Sequence, residues 1–258
     1  MPLHKSSVLL TLVFIHLTFV RQVLNFYELR NNVHIKTVPV MEELSSACLL
    51  NVEDSASILS SVSGKKEKFS SPSDPGVNIL ITAGQGGLLR LFRVEMNGKD
   101  VSSFSCVPVT QVGPYDDVME RADYTNELNS INAMHYLPLH HHIVSMTADY
   151  NIMSYQLAKG GKKKNLDIAG GRALWLHRHL IGCNDDILDM AVLNPSNDND
   201  EGRKDTSDEN SDHTHHRTKF AVVTNSAQVR LMDSSNFECA SLNGHSDIVL
   251  AIDATPDG

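Results

Sequence analysis

Cysteine is scarce in this sequence, with only four residues of this type among 258. The four lie far apart, and no two form the Cys-x-x-Cys pair of a zinc ligand set. Four scattered cysteines also fall short of the disulfide framework that stabilises small secreted domains. We therefore expect buried or idle thiols at Cys48, Cys106, Cys183 and Cys239.

The short motifs of common enzyme classes are missing as well. The chain contains no Gly-x-Ser-x-Gly, no P-loop and no His-Glu-x-x-His sequence. The glycine-rich stretch GQGG at residues 84–87 lies in a predicted hairpin with no helix after it, so it lacks the helix N-terminus that binds phosphate. The sequence thus predicts a protein that is not an enzyme and that has no cofactor and no metal site.

Positive charge is in the minority. The chain has 22 lysines and arginines against 31 acids, a net charge of −9. Residues 195–212 alone hold seven acids and two bases. The chain as a whole therefore lacks the excess of positive charge that is typical of nucleic-acid-binding domains. Because residues 195–218 have few apolar side chains to offset the entropy of ordering, we predict a disordered, acidic and histidine-rich insert there.

Long helical periodicity is absent, and short alternating stretches take its place. Four of them combine apolar–polar alternation with a bulky apolar residue near the end, which is typical of a strand with one buried face. A turn of helix is the most that we expect at 115–130. The four stretches are 23–29, 88–94, 151–157 and 228–234.

Hairpin partners precede the last three of these stretches. Gly, Asp, Asn or Ser residues separate each pair, and such residues suit tight turns. The partners span 78–84, 142–148 and 219–225, and further strands are predicted at 131–137, 187–193 and 248–254.

The bulky residues recur at intervals of 65, 63 and 77 residues, which is longer than a usual propeller unit. We assign the excess to loops, at 53–77, 95–128, 158–171 and 195–218. Repeated four-stranded antiparallel units with variable loops predict an all-β fold built of β-propeller blades.

Parts of a WD40 repeat signature are present, although no unit keeps the whole set. Gly244-His245 resembles the Gly-His pair, Asp149 lies six residues before Tyr155 as the turn Asp lies before Trp, and Met232-Asp233 resembles Trp-Asp. Tyr27-Glu28 and Phe92 take the Trp-Asp and Trp places in earlier units. The signature is lost at three other places, where Gly86, Ser226 and Cys183 stand.

Longer strings are more specific. KTVPVMEELSSACLL (36–50), ITAGQGGLLRLF (81–92), SMTADYNIMSYQL (145–157), IGCNDDILDMAVLNP (181–195) and LNGHSDIVLAID (242–253) occur in this order. Together they resemble the middle of the transducin beta-like protein 3 family, also called the U3 small nucleolar RNA-associated protein 13 family. The resemblance covers about residues 23–258.

The resemblance implies a particular organisation. The family has two tandem WD40 propellers and a helical C-terminal domain that this sequence does not contain, so a part of a longer protein is expected. Residues 23–182 would hold the terminal blades of the first propeller, and residues 183–258 the opening of the second. Residues 1–22 do not match the family.

The resemblance also implies a function. The family acts as a non-catalytic WD40 scaffold of the small-subunit processome in the nucleolus. Its partners are other WD40 subunits, the U3 small nucleolar RNP and pre-ribosomal RNA, the last reached directly or indirectly. The alternative is a generic WD40 adaptor, such as the substrate receptor of a ubiquitin ligase.

Several polar residues permit more than one interpretation. We expect Asp149 to fix its hairpin by accepting hydrogen bonds, and His245 to join a similar buried set. The lysines Lys162, Lys163 and Lys164 form the one compact basic run, which is either a phosphate or protein contact or an ordinary solvated hairpin tip. The histidine clusters at 140–142 and 213–216 are expected to be solvated loops and not metal sites.

Residues 8–20, VLLTLVFIHLTFV, form a strongly apolar run. The run resembles the core of a signal peptide but has no small-residue cleavage site after it, and it is short for a membrane span. Three interpretations stay open: an incorrectly assigned gene start or internal methionine, a true signal or anchor, and an ordinary buried strand. A true signal would place the protein in the secretory pathway.

Overall fold

The computed structural model describes twelve stretches of the chain, and the account below is confined to them. They are residues 5–10, 13–20, 22–28, 31–63, 77–95, 101–113, 130–158, 173–180, 186–193, 218–234, 236 and 238–255. The chain divides into two compact units, residues 1–182 and 183–258. The assignment of these units to two successive propellers remains a prediction.

Sixteen strands form four sheets in the described residues. The first sheet holds β1 (Lys5–Leu10), β2 (Val13–Val20), β3 (Val23–Glu28) and β4 (Val33–Pro39). The second holds β5 (Leu44–Leu49), β6 (Asn78–Gly84), β7 (Leu89–Glu95) and β8 (Ser105–Val112). The third holds β9 (Ile131–Leu137), β10 (His142–Thr147), β11 (Ile152–Leu157) and β12 (Leu174–Leu180). The fourth holds β13 (Ile187–Leu193), β14 (Lys219–Thr224), β15 (Gln228–Asp233) and β16 (Cys239–Asn243).

Each sheet is a meander, in which every strand pairs antiparallel with the next strand of the chain. This order needs only short connections between neighbours, which the turn residues supply. A four-stranded meander is the blade from which a propeller is built, and this chain has four of them in succession among its described residues. The predicted all-β class with propeller-type blades is therefore confirmed.

Two β-bulges recur in the sheets and show that they are copies of one unit. Where the first and second strands pair, one residue is skipped in the second, third and fourth sheets. Where the third and fourth strands pair, a skip falls just before Tyr27, Phe92 and Tyr155. Because the same bulge precedes each of them in its sheet, these three residues occupy equivalent places.

The second sheet is apolar on both of its faces. On one face Ile79, Ile81 and Leu91 join a core with residues of the third sheet. On the other face Leu80 and Phe92 pack in a core with residues of the first sheet. Every residue of β6 is consequently buried, and its apolar sequence is nearly continuous for that reason.

A single α-helix is present in the described residues, α1 (Val52–Ser63), between β5 and β6. The side-chain oxygen of Asn51 accepts the Asp54 N–H at 2.8 Å and so caps the first turn. Ile58 and Leu59 are buried in the core between the second and third sheets. The helix thus extends that core at one end of the strands.

Three sequence predictions were wrong. The predicted loop 53–77 contains most of α1, because a cap and two buried apolar side chains suffice to dock so short a helix. The predicted loop 95–128 contains a 3-10 turn (Val101–Ser103) and β8, an outer strand that tolerates Pro108. Residues 248–254 form no strand, although Val249 and Ile252 pack on the fourth sheet.

The single buried face predicted for the alternating strands was also too simple. In β11 the residues from Ile152 to Tyr155 are all buried, so residues of both faces are enclosed at this point of the strand. The helical turn predicted at 115–130 and most of the insert at 195–218 lie outside the described residues.

The apolar N-terminal run forms β1 and β2, and β2 pairs with β3 from Ile15 opposite Glu28 to Val20 opposite Val23. The structure thus has strands here, and the three interpretations of the run stay predictions. In the part of the chain that the structure describes, no helix combines the length and apolar character needed to cross a membrane.

Truncating Phe92 tests the packing of the first sheet on the second. Phe92 is 4% exposed, so we expect Phe92→Ala to lower the free energy of unfolding by about 3–5 kcal/mol. Val107 lies in β8 and is 52% exposed, so Val107→Ala should change it by less than about 0.5 kcal/mol. Urea denaturation measures both, and equal effects would contradict the stacking of the sheets.

Candidate functional site

The turn between β10 and β11 is organised around Asp149. The Asp149 carboxylate accepts hydrogen bonds from the Thr147 hydroxyl and, at 2.6 Å, from the Asn151 side-chain amide. The Thr147 N–H donates to the Asn151 carbonyl at 3.0 Å. Tyr150 at the tip has a φ of 64°, a left-handed conformation that this network supports. These two donors are neighbours of Asp149 in its own turn.

The corresponding turn of the second sheet carries Gly86 in place of the aspartate, and a carboxylate reaches it from elsewhere. Glu42, in the connection before β5, accepts the Gly86 N–H at 2.7 Å and forms an ion pair with Arg90. Glu42 is only 7% exposed. The lost aspartate is therefore replaced in space by a residue 44 positions earlier in sequence.

The glycine-rich sequence of that turn has a steric cause. A Cβ atom at Gly84 would collide with the backbone carbonyl of Glu43, and one at Gly86 would collide with the Glu42 carboxylate. Gly87 has a φ of 68°. The connection before β5 thus lies directly against the turn, and the glycines allow this close approach.

The residues at the predicted Trp and Trp-Asp places differ in burial. Phe92, Tyr155 and Met232 are 4%, 0% and 7% exposed. Tyr27 is half-buried and packs edge-on against His34 with 5.3 Å between ring centroids, while the neighbouring Phe26 is buried instead. Glu28 accepts a hydrogen bond from Asn31 at 3.1 Å, and Asp233 is 9% exposed.

The predicted burial of His245 was wrong. Both Gly244 and His245 are exposed and precede a segment without strand pairing. That segment lies on the fourth sheet through Val249 and Ile252, and the Ile252 N–H donates to Asp189 at 3.0 Å. These contacts bring the apolar side chains to the sheet and leave the imidazole in solvent.

A buried carboxylate that the sequence did not reveal joins the second and third sheets. Asp54, in the first turn of α1, is 3% exposed and accepts a hydrogen bond from the Tyr136 hydroxyl. The Nδ1 atom of His141 lies 2.6 Å from its other oxygen. His141 has a φ of 54° in the turn between β9 and β10. The helix of one sheet is thereby held to a turn of the next.

Burial alters the titration of several groups. Burial, then the hydrogen bond to Asp54 and the charge of that carboxylate, raise the pKa of Tyr136 far above its usual value. Burial raises the pKa of the Cys48 and Cys106 thiols to about 12, so both are protonated at neutral pH. These two cysteines match the inert thiols expected, whereas Cys239 is exposed.

The described histidines include a partly enclosed pair and no metal centre. His142 and His177 pack with ring centroids 5.0 Å apart. Within the described stretches, no three His, Cys, Asp or Glu side chains are placed to hold a metal ion. The lysine run 162–164, Cys183 and the histidine cluster 213–216 lie outside the described residues.

The repeated meanders, their shared bulges and the turn carboxylates are those of WD40-type β-propeller blades, a class of repeat fold. No protein-family model matches the chain.

The particular protein that the chain resembles is transducin beta-like protein 3. The sequence is 26% identical to the Bos taurus protein over 234 residues, which cover 90% of this chain and 21% of that protein. It is 25% identical to the Homo sapiens protein over 223 residues, covering 86% and 20%. For the Rattus norvegicus protein the identity is 24% over 232 residues, covering 90% and 21%. The chain thus spans about a fifth of the length of these curated relatives.

A double-mutant cycle tests the contact at Asp54. Tyr136→Phe removes one donor from a buried carboxylate, so we expect a loss of about 1–3 kcal/mol in the free energy of unfolding. Combined with Asp54→Asn, the two changes should be non-additive by at least about 0.5 kcal/mol. Denaturant unfolding of the four proteins gives the coupling.

Asp189 of the second compact unit provides the matched control. Tyr136→Phe and Asp189→Asn should be additive, because the two sites share no partner. Additivity in the Asp54 cycle as well would show that the carboxylate does not hold the third sheet.

Proposed function

We propose that this chain is part of a non-catalytic WD40 scaffold of the small-subunit processome, with a role in pre-ribosomal RNA processing. The observation that carries the proposal is the similarity to transducin beta-like protein 3, which extends over 90% of the chain. The strings at 36–50 and 81–92 include the connection before β5 and the turn that it supports.

The packing favours a scaffold that holds partners at fixed angles. Apolar cores bind the first sheet to the second and the second to the third, so these three sheets resist sliding or separating. Meanwhile the turns at the strand ends present exposed side chains, among them Met41 at 79% exposure and Leu139 at 55%. Binding residues on turns of a rigid support suit protein recognition.

The proposed partners are the other WD40 subunits of the processome, the U3 small nucleolar RNP and pre-ribosomal RNA, and the proposed location is the nucleolus. None of these requires a cofactor or a small-molecule substrate. The function is therefore assembly, achieved through surfaces and not through reacting groups.

Affinity purification of the tagged chain from nuclear extract tests this function. We expect co-purification of processome WD40 subunits and of U3 small nucleolar RNA, and a tagged protein concentrated in nucleoli. A variant with Asp54→Asn and Tyr136→Phe serves as a control for folding, because it weakens the stacking without altering most exposed turns. Recovery of ubiquitin-ligase subunits in place of processome subunits would favour the generic adaptor.

The basic run Lys162, Lys163 and Lys164 is proposed as a peripheral contact to RNA or a ribosomal protein. Changing all three to alanine removes three positive charges, and each lost phosphate contact should weaken binding and its salt dependence. We expect reduced crosslinking to pre-ribosomal RNA in cells. Crosslinking equal to that of the unaltered chain would remove the lysines from the interface.

A further inference from the structure

We infer that the outer strand of the third sheet binds single-stranded RNA, with Trp175 and His177 stacking on bases and Arg178 contacting phosphate. This inference deepens the proposed function, on which the choice of RNA rests. It concerns only described residues and does not involve the lysine run.

The strand register places these side chains on one face. His142 pairs with Gln156, and Gln156 pairs with Trp175, so the three side chains lie in one row across the sheet. Arg178 pairs with Ser154 in the next row of the same face. The opposite face carries Met153, Tyr155 and Leu174 into the core shared with the second sheet.

The bulge in β12 brings Arg178 to the face that Trp175 and His177 already share by the alternation of a strand. The pairing of β11 with β12 skips His177, between Arg178 opposite Ser154 and Leu176 opposite Tyr155. The extra residue turns its ring against His142, with centroids 5.0 Å apart and planes tilted by 45°. A regular strand would have put Arg178 on the face opposite to Trp175.

Exposure increases across this face toward the outer strand. Val144 and Ser154, in the two central strands, are buried. Trp175 is half-buried, and His177 and Arg178 are exposed. The aromatic rings and the guanidinium are therefore accessible together on a support that the buried residues hold in place.

The charge of the third sheet differs from that of the chain. The described residues 130–158 and 173–180 contain six of the 13 histidines, one arginine and a single acid. That acid, Asp149, lies in the turn between β10 and β11, whereas Trp175 lies toward the other end of the strands. In a chain with a net charge of −9, the described part of this sheet carries little negative charge, which suits an anionic partner.

Single-stranded RNA fits this chemistry best. Its unstacked bases bind aromatic and imidazole rings, and its phosphates bind guanidinium groups. Burial and the adjacent Arg178 lower the pKa of His177, which leaves a neutral ring for stacking at neutral pH. Duplex RNA, whose bases are stacked inside, offers no such rings to Trp175.

Trp175 is the only tryptophan of the chain, so its fluorescence reports directly on this surface. We expect saturable quenching when the whole chain is titrated with a single-stranded oligouridylate of about 12 nucleotides, long enough to span the binding site of one small domain. A duplex of the same length should quench little.

Variants locate the interaction with a fluorescently labelled oligouridylate. Trp175→Ala should weaken binding by about tenfold, since one stacked base is lost, and Trp175→Phe should retain most of the affinity. Arg178→Ala should lower the slope of log affinity against log salt by about one. The matched controls are His34→Ala, from the aromatic pair of the first sheet, and Arg230→Ala in β15. Both should bind as the unaltered chain does.

Unaltered affinity in Trp175→Ala and Arg178→Ala would overturn the inference, as would a chain whose tryptophan is not quenched by RNA. Quenching by an acidic peptide but not by RNA would overturn it too, in favour of a protein partner. A chain that captures processome subunits yet does not bind RNA here refutes this inference alone. A chain that binds RNA here yet captures no subunits refutes the proposed function alone.

Discussion

The structure depends on the burial of the second sheet between two neighbours. Because β6 alternates its side chains between two apolar cores, neither core forms completely unless the first, second and third sheets stack together. Each face contributes hydrophobic free energy in proportion to its buried area. A sheet that has no solvent-exposed face is not stable without its neighbours, so the repeats stabilise one another as in other repeat proteins.

Carboxylates complement this apolar stacking at the strand ends. Asp149 bonds within its own turn, Glu42 reaches the next turn from a connection, and Asp54 joins a helix to the neighbouring sheet. In each case a buried or half-buried donor is satisfied, which avoids the cost of an unpaired polar group. The turns are consequently held in defined positions, which a surface that binds several partners needs.

The sequence permitted prediction of the class and of most strands of the third and fourth sheets, because alternating apolar residues and tight turns are local signals. It did not permit prediction of α1, whose two buried apolar residues follow no long period, nor of Glu42 and Asp54, whose partners are 44 to 87 residues away. The Gly-His pair also misled us at His245, since its burial depends on which strands lie around it. Arg178 shares a face with Trp175 only through a bulge.

Hydrogen–deuterium exchange of the backbone amides tests the stacking of sheets most directly. The account predicts that amides of β6, from Ile79 to Ala83, exchange among the slowest of the first compact unit, because they open only when both cores separate. The outer strand β8, around the exposed Val107, should exchange far faster. Exchange of β6 at the rate of β8 would contradict the claim that this sheet is enclosed on both faces.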